Sequence, residues 1–288
     1  DPYSTFDNSM RTLENTLDAS RSLKYLKRFI YLSSSMVYGN FKKKVVTEKE
    51  ICDPLGIYAS LKYGCEKLVA GYNQVFKLPY TIIRPSALYG ERCVSGRVVQ
   101  KFIEAAIKKQ PLQMVGDGKE FLDFTYIDDL VQGIYLSMVK KESLNNIFNI
   151  TYGKSRSLLD LIKIINKNIK NVKVKKVKRD KLMPFRGTLS VDKAKKLIGY
   201  KPKFNIDNKS WAMPSAESEY RKAIDSLYSY RNALVGISTA KNDTAQFYAR
   251  ADNLTSYFDE VQKRLGSYSQ RLSASVGTDK INTDLAGD

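Results

Sequence analysis

Three tyrosines in this chain stand four residues ahead of a lysine: Tyr38/Lys42, Tyr58/Lys62 and Tyr63/Lys67. The pairing has chemical meaning. A free phenol loses its proton near pH ~10, and a lysine one helical turn away favours the phenolate. A phenol tuned in this way exchanges a proton with a substrate hydroxyl, while a nearby serine holds the same oxygen. Spacing alone does not choose among the three. Tyr38 falls in a Gly39-Asn40 turn, so its lysine is not expected one helical turn away. Tyr58 and Tyr63 share a helical pattern but lie about 140° apart around it, so only one can face a site. Tyr58 is at the helix start and follows Ser33-Ser34-Ser35, which end an apolar strand pattern. In a doubly wound sheet, ligands bind at that end of the strands.

Composition narrows the alternatives. The chain has 288 residues and no histidine, which excludes Ser-His-Asp, Cys-His and His-ligated metal chemistry from its own side chains. No metal site is expected. The formal charge is +18, carried entirely by residues 1–208, with 38 basic and 20 acidic residues; ten of each follow. Such an excess suits an anionic small substrate as well as nucleic acid. The clearest run, Lys173, Lys175, Lys176, Lys178, Arg179 and Lys181, has no interleaved aromatics. It reads as a solvated face, and no specific nucleic-acid partner is expected. Cys52, Cys65 and Cys93 form no C-x-x-C pair, which fits a reducing cytoplasmic setting. No apolar run reaches the roughly 18 residues of a membrane span. Asp1 is read as lying inside a longer gene product.

The elements that must position Tyr58 follow from periodicity. Helical patterns cover 7–22, 58–76, 98–109, 128–139, 157–169 and 191–199. Strand patterns cover 28–34, 78–85, 113–115, 124–127 and 147–150. Continuous apolar strands between amphipathic helices predict an α/β fold with a parallel, doubly wound sheet. After residue 208, lysine thins and a heptad seam runs Phe247, Ala251, Leu254, Phe258, Val261, Leu265, Tyr268, Leu272. It predicts an all-α helical hairpin or coiled coil over 209–288, and hence a possible homo-oligomer.

The ordered motifs Tyr31-Leu32-Ser33-Ser34-Ser35-Met36-Val37-Tyr38-Gly39, Tyr58-Ala59-Ser60-Leu61-Lys62 and Glu66 resemble the extended short-chain dehydrogenase/reductases. The similarity is to the NAD-dependent epimerases and dehydratases of nucleotide sugars. Arg84-Pro85-Ser86-Ala87-Leu88-Tyr89-Gly90, Gly116-Asp117-Gly118, Phe124-Thr125-Tyr126-Ile127-Asp128-Asp129 and Leu197-Ile198-Gly199-Tyr200-Lys201-Pro202 extend it over residues 1–206. The resemblance implies a Rossmann-type sheet with a small α/β substrate region over 86–208. It implies Tyr58 as catalytic acid/base and Lys62 as its partner, both also contacting NAD. It implies Ser34 as the catalytic hydroxyl, with Ser35 as the alternative or a substrate contact. Pro85 and Ser86 would meet the nicotinamide end.

Departures shape the expectation as well. The Gly-rich turn with which the family holds the dinucleotide pyrophosphate has no counterpart here. The sequence therefore reads as a truncated family domain in which most of the adenosine and pyrophosphate site is missing, so that NAD binding by the chain as given is expected to be lost in large part or altogether, and NAD is not separable from NADP. Leu122 replaces an arginine that commonly pairs with the substrate diphosphate, leaving Arg92 or Arg97 as candidates to supply that charge. Met36 replaces an acidic residue of the sugar dehydratases, which favours epimerase or reductase chemistry. The rival expectation is a non-catalytic α/β remnant joined to a helical self-association module.

Overall fold

The computed structural model describes residues 2–90, 93 and 95–207. The chain enters through α1 (Pro2–Phe6), a π-helical turn (Asp7–Arg11) and α2 (Thr12–Arg21). β1 (Phe29–Leu32), a 3-10 turn (Ser35–Tyr38), β2 (Val45–Val46) and the long α3 (Gly56–Phe76) follow. Next come β3 (Tyr80–Arg84), β4 (Leu88–Tyr89) and α4 (Val98–Ile107). Short elements then alternate: β5 (Leu112–Val115), β6 (Phe121–Leu122), β7 (Thr125–Tyr126), α5 (Ile127–Val139) and β8 (Asn146–Asn149). The last are β9 (Arg156–Ser157), α6 (Leu158–Asn168), β10 (Val174–Val177), β11 (Thr188–Leu189) and α7 (Asp192–Ile198).

β1, β3 and β8 form a parallel sheet in that order, with Leu32 opposite Ile83 and Ile83 opposite Phe148. Alternate side chains of a strand serve opposite faces. Ile82 therefore packs with Leu13, Leu17, Cys65 and Val69 of α2 and α3. Ile83 packs with Leu130 of α5, Phe148, and Ile198 and Tyr200 at the end of the described chain. Helices thus cover both faces, and β3 needs the continuous apolar run seen in its sequence. The helical spacing of Leu13, Leu17 and Ser20 is the buried face of α2.

The structure corrects several boundaries. The strand expected over 124–127 is only Thr125–Tyr126, because Ile127 already opens α5. The two-residue ladders of β2, β4, β6, β9 and β11 have no sequence periodicity of their own; pairing across the fold creates them. The lysine run contains β10, which pairs in parallel with β5. Its lysines are exposed as expected, but Arg179 is drawn inward. The predicted helical tail over 209–288 lies outside the described residues, as does Arg92. Among the described residues no helix is long and apolar enough to cross a membrane, and the three cysteines are unpaired.

Candidate functional site

The three serines leave the C-terminal end of β1 in different directions. Ser33 donates its hydroxyl to Glu66 Oε1. Ser35 is buried, and its N–H donates to the Pro85 carbonyl at 2.9 Å. Ser34 caps the 3-10 turn, its Oγ accepting the Met36 N–H at 3.2 Å. The Ser33 hydroxyl thus donates to Glu66, whereas the Ser34 oxygen serves as an acceptor.

α3 carries the other two residues. Tyr58, in its first turn, is 49% exposed. Lys62, one turn later, donates from Nζ to the Leu32 carbonyl at 2.9 Å and lies 5.1 Å from the centre of the Tyr31 ring. The N–H groups of Phe29 and Ser33 bond toward the β3 side. The intervening Leu32 carbonyl therefore faces the opposite edge of β1. Lys62 thus reaches the edge of β1 that β3 does not occupy, two residues before Ser34. Burial lowers the Lys62 pKa, while Cys65 and Glu66 act the other way. Tyr63 takes the alternative direction predicted for it and packs beside Val37, Tyr38, Val46 and Leu189. Tyr38 is buried, with its hydroxyl donating to Asn149 Oδ1 at 2.8 Å, so it is a structural tyrosine.

Under these groups lies a buried ion pair that spacing did not disclose. Glu66, one turn beyond Lys62, receives Arg84 Nε at 2.9 Å and Nη2 at 2.6 Å. Both side chains are 3% exposed. The Arg84 guanidinium also lies 4.7 Å from the centre of the Tyr38 ring. Burial works against the Arg84 charge, yet Glu66 and Tyr38 hold its pKa above the ordinary value. Through Ser33, Glu66 and Arg84, the pair fastens β1, α3 and β3 at one end of the sheet. Pro85 and Ser86 follow Arg84 directly. Gly39 closes the 3-10 turn at φ +64°, where a Cβ would stand 1.8 Å from the Asp53 carbonyl oxygen, so only glycine fits.

The second half of the described chain is tied together by Asp123, which is fully buried. Its carboxylate accepts the N–H groups of Gly153 at 3.1 Å and Leu189 at 3.1 Å and the Thr151 hydroxyl at 3.2 Å. Burial pushes its pKa up to about 6, against those donors. Arg97, a candidate for substrate charge, is exposed just before α4.

A parallel sheet covered on both faces by helices defines a Rossmann-like α/β protein. The chain belongs to the NAD dependent epimerase/dehydratase family, whose model matches residues 1–151. A second family model, described as an uncharacterized protein conserved in bacteria, matches residues 179–288. A curated relative, the uncharacterized UDP-glucose epimerase YtcB of Bacillus subtilis, is 31% identical over 203 residues, 70% of this chain and 63% of its own length. The UDP-glucuronate 4-epimerase of Thermodesulfobacterium geofontis is 27% identical over 212 residues, 72% of this chain and 64% of its own. Among solved structures, the UDP-glucuronic acid 4-epimerase of Bacillus cereus, in complex with UDP-glucuronic acid and NAD, is 29% identical with a TM-score of 0.67. That match covers 70% of this chain and 64% of the epimerase. The chain therefore spans just under two thirds of the length of these relatives.

Proposed function

We propose that this chain carries the proton-transfer and substrate side of an NAD-dependent oxidoreductase acting on a nucleotide sugar, of the epimerase or reductase type. The observation that carries the reading is Lys62. It stands one helical turn from Tyr58 and is anchored on the Leu32 carbonyl, at the strand end that leads into Ser34. In this role the Tyr58 phenol removes the proton of a sugar hydroxyl and returns it later. The Lys62 ammonium favours the phenolate. The Ser34 hydroxyl holds the reacting oxygen.

The residues present fit the nicotinamide end of a dinucleotide. Lys62 supplies a half-buried charged donor beside the edge of β1 that β3 leaves free, and Ser86 supplies a hydroxyl directly after β3. Tyr58, Lys62, Pro85 and Ser86 would hold that end. When bound, NAD supplies hydride exchange at the sugar carbon. Similarity to a UDP-glucuronic acid epimerase solved with both ligands supports the substrate class.

The test is turnover of a panel of UDP-sugars by this chain with NAD, followed by NMR for change at a ring carbon. Tyr58→Phe should remove turnover in a chain that still folds. A folded wild-type chain that binds neither NADH nor any sugar nucleotide would overturn the reading, as would full turnover by Tyr58→Phe.

A further inference from the structure

Between Asp160 and Asp180 the chain holds eight basic residues, seven lysines and Arg179, and no acidic one. All of these lysines are exposed. Lys163, Lys167 and Lys170 share one face of α6, opposite the face that buries Leu158, Leu161 and Ile165. Lys173, Lys175 and Lys176 follow at the start of β10 and within it. Asn166 joins the two rows, its Oδ1 accepting the Val172 N–H at 3.1 Å as the chain turns from α6 into β10. Among the described residues, Lys163 alone of these lysines forms an ion pair, with Asp160 at 3.7 Å.

Arg179 behaves differently. It turns inward and donates from Nη1 to Glu120 Oε2 at 2.7 Å, a carboxylate that also meets Arg186 Nη2 at 3.4 Å. Its Nη2 is held by the carbonyls of Met183 and Pro184 at 2.9 and 3.0 Å. Asp180 closes the turn that follows: its Oδ1 accepts the Leu182 N–H at 2.9 Å, and its carbonyl accepts the Met183 N–H at 3.2 Å. These bonds fix a turn on which Lys178, Lys181 and Leu182 face outward. Leu182 is 60% exposed and Phe185 63%. Large apolar side chains thus stand in water beside the lysines.

Lysine on an outer strand blunts edge-to-edge pairing, and β10 is the outer strand of its two-stranded sheet. That role needs β10 alone; it explains neither the row on α6 nor the exposed Leu182 and Phe185. Nucleic acid is matched less well. Its recognition draws on arginine forks and stacked aromatics, whereas the one arginine here is engaged by Glu120 and no aromatic lies among the lysines. An anionic bilayer asks for flexible point charges and for apolar side chains that enter the headgroup layer. Lys175 and Lys176 leave opposite faces of β10, yet their long stems reach a plane laid against its free edge.

We infer that α6, β10 and the turn over 178–185 form a docking surface for an anionic lipid bilayer. Charge complementarity carries the contact: a lysine within about 8 Å of such a surface, one Debye length at physiological salt, is worth about fivefold in partitioning. Leu182 and Phe185 enter the interface between the charges. The chain is held on the membrane surface without a spanning helix. The surface uses none of Ser34, Tyr58 and Lys62, so it stands apart from the nucleotide-sugar reading.

The test is flotation of the full chain with phosphatidylcholine vesicles, with and without about 30 mol% phosphatidylglycerol, in about 0.15 M salt. The chain should float with the anionic vesicles, stay behind with the neutral ones, and be released at about 0.5 M salt. Changing Lys173, Lys175 and Lys176 together to Gln should weaken partitioning by about tenfold or more. Changing Lys195, Lys196 and Lys201 to Gln removes the same charge from exposed positions on and after α7, and should alter it by less than about twofold. Leu182→Ser keeps the charge and should weaken partitioning about threefold or more, through the lost apolar contact. This variant keeps the test valid if the triple change at β10 fails to fold. No flotation of the wild type, equal losses in the two triple variants, or an unchanged Leu182→Ser chain would overturn the inference. Binding to a DNA duplex that depends on Lys173, Lys175 and Lys176, without flotation, would overturn it in favour of nucleic acid.

Discussion

Two glutamates in this molecule hold arginine, and they do so in opposite ways. Glu66 meets Arg84 alone, through two short hydrogen bonds in a site closed to water. Glu120 meets Arg179 closely and Arg186 loosely, and the balance stays positive. The first arrangement gives each carboxylate oxygen a guanidinium nitrogen, leaves Arg84 Nη1 without a partner among the described residues, and fastens secondary structure. The second places two guanidinium groups on one carboxylate and leaves Arg186 Nε without a partner among the described residues. A buried pair of equal and opposite charge fastens secondary structure, whereas two guanidinium groups on one carboxylate keep a net positive charge.

The sharpest way to break the comparison is at the balanced pair. Glu66→Ala leaves Arg84 charged, buried and alone, and should cost about 3–5 kcal/mol in urea unfolding. Replacing Glu66 and Arg84 together by methionine should cost clearly less than the sum of the single changes, because no charge is left stranded. Additive losses would mean that the two side chains do not act as a pair.

Asp123 sharpens the contrast from a third side, since it is buried with no arginine at all. Its folded pKa of about 6 lies above the ordinary carboxylate value. Its contribution to stability is therefore fully present below pH ~4 and is lost as pH rises through about 6. The melting temperature of the wild type relative to Asp123→Asn should fall across that window, by the equivalent of on the order of 2 kcal/mol. A flat difference would show that the folded and unfolded carboxyls titrate alike.

The smallest effect belongs to the unbalanced cluster. Arg186→Gln should change unfolding free energy by less than ~1 kcal/mol in either direction, because the contact it removes is long and the repulsion it relieves is real. A loss comparable to that of Glu66→Ala would make Glu120 a second structural joint.

The contrast also explains what was legible beforehand. Tyr58, Lys62 and Ser34 sit in local patterns, a helical turn and a strand end, and the parallel sheet follows from apolar runs between amphipathic helices. Residues that bond across long separations leave no such pattern. Glu120 is 59 residues from Arg179 and 66 from Arg186, and Arg179 was hidden in a run of exposed lysines. Glu66 carried a faint signal, since it continues the Tyr58–Lys62 face one turn on, but its partner Arg84 lies on another element. The ladders of β2 with β11 and β6 with β9 are two residues long, and tertiary contact alone creates them.

The most direct test of the account is titration of the purified chain with NADH, comparing wild type with Lys62→Ala and Arg186→Gln. The account predicts saturable binding that Lys62→Ala weakens about tenfold or more, the scale of a lost charge-assisted hydrogen bond, and that Arg186→Gln leaves unchanged. Equal NADH affinity in the wild type and a folded Lys62→Ala chain would contradict it.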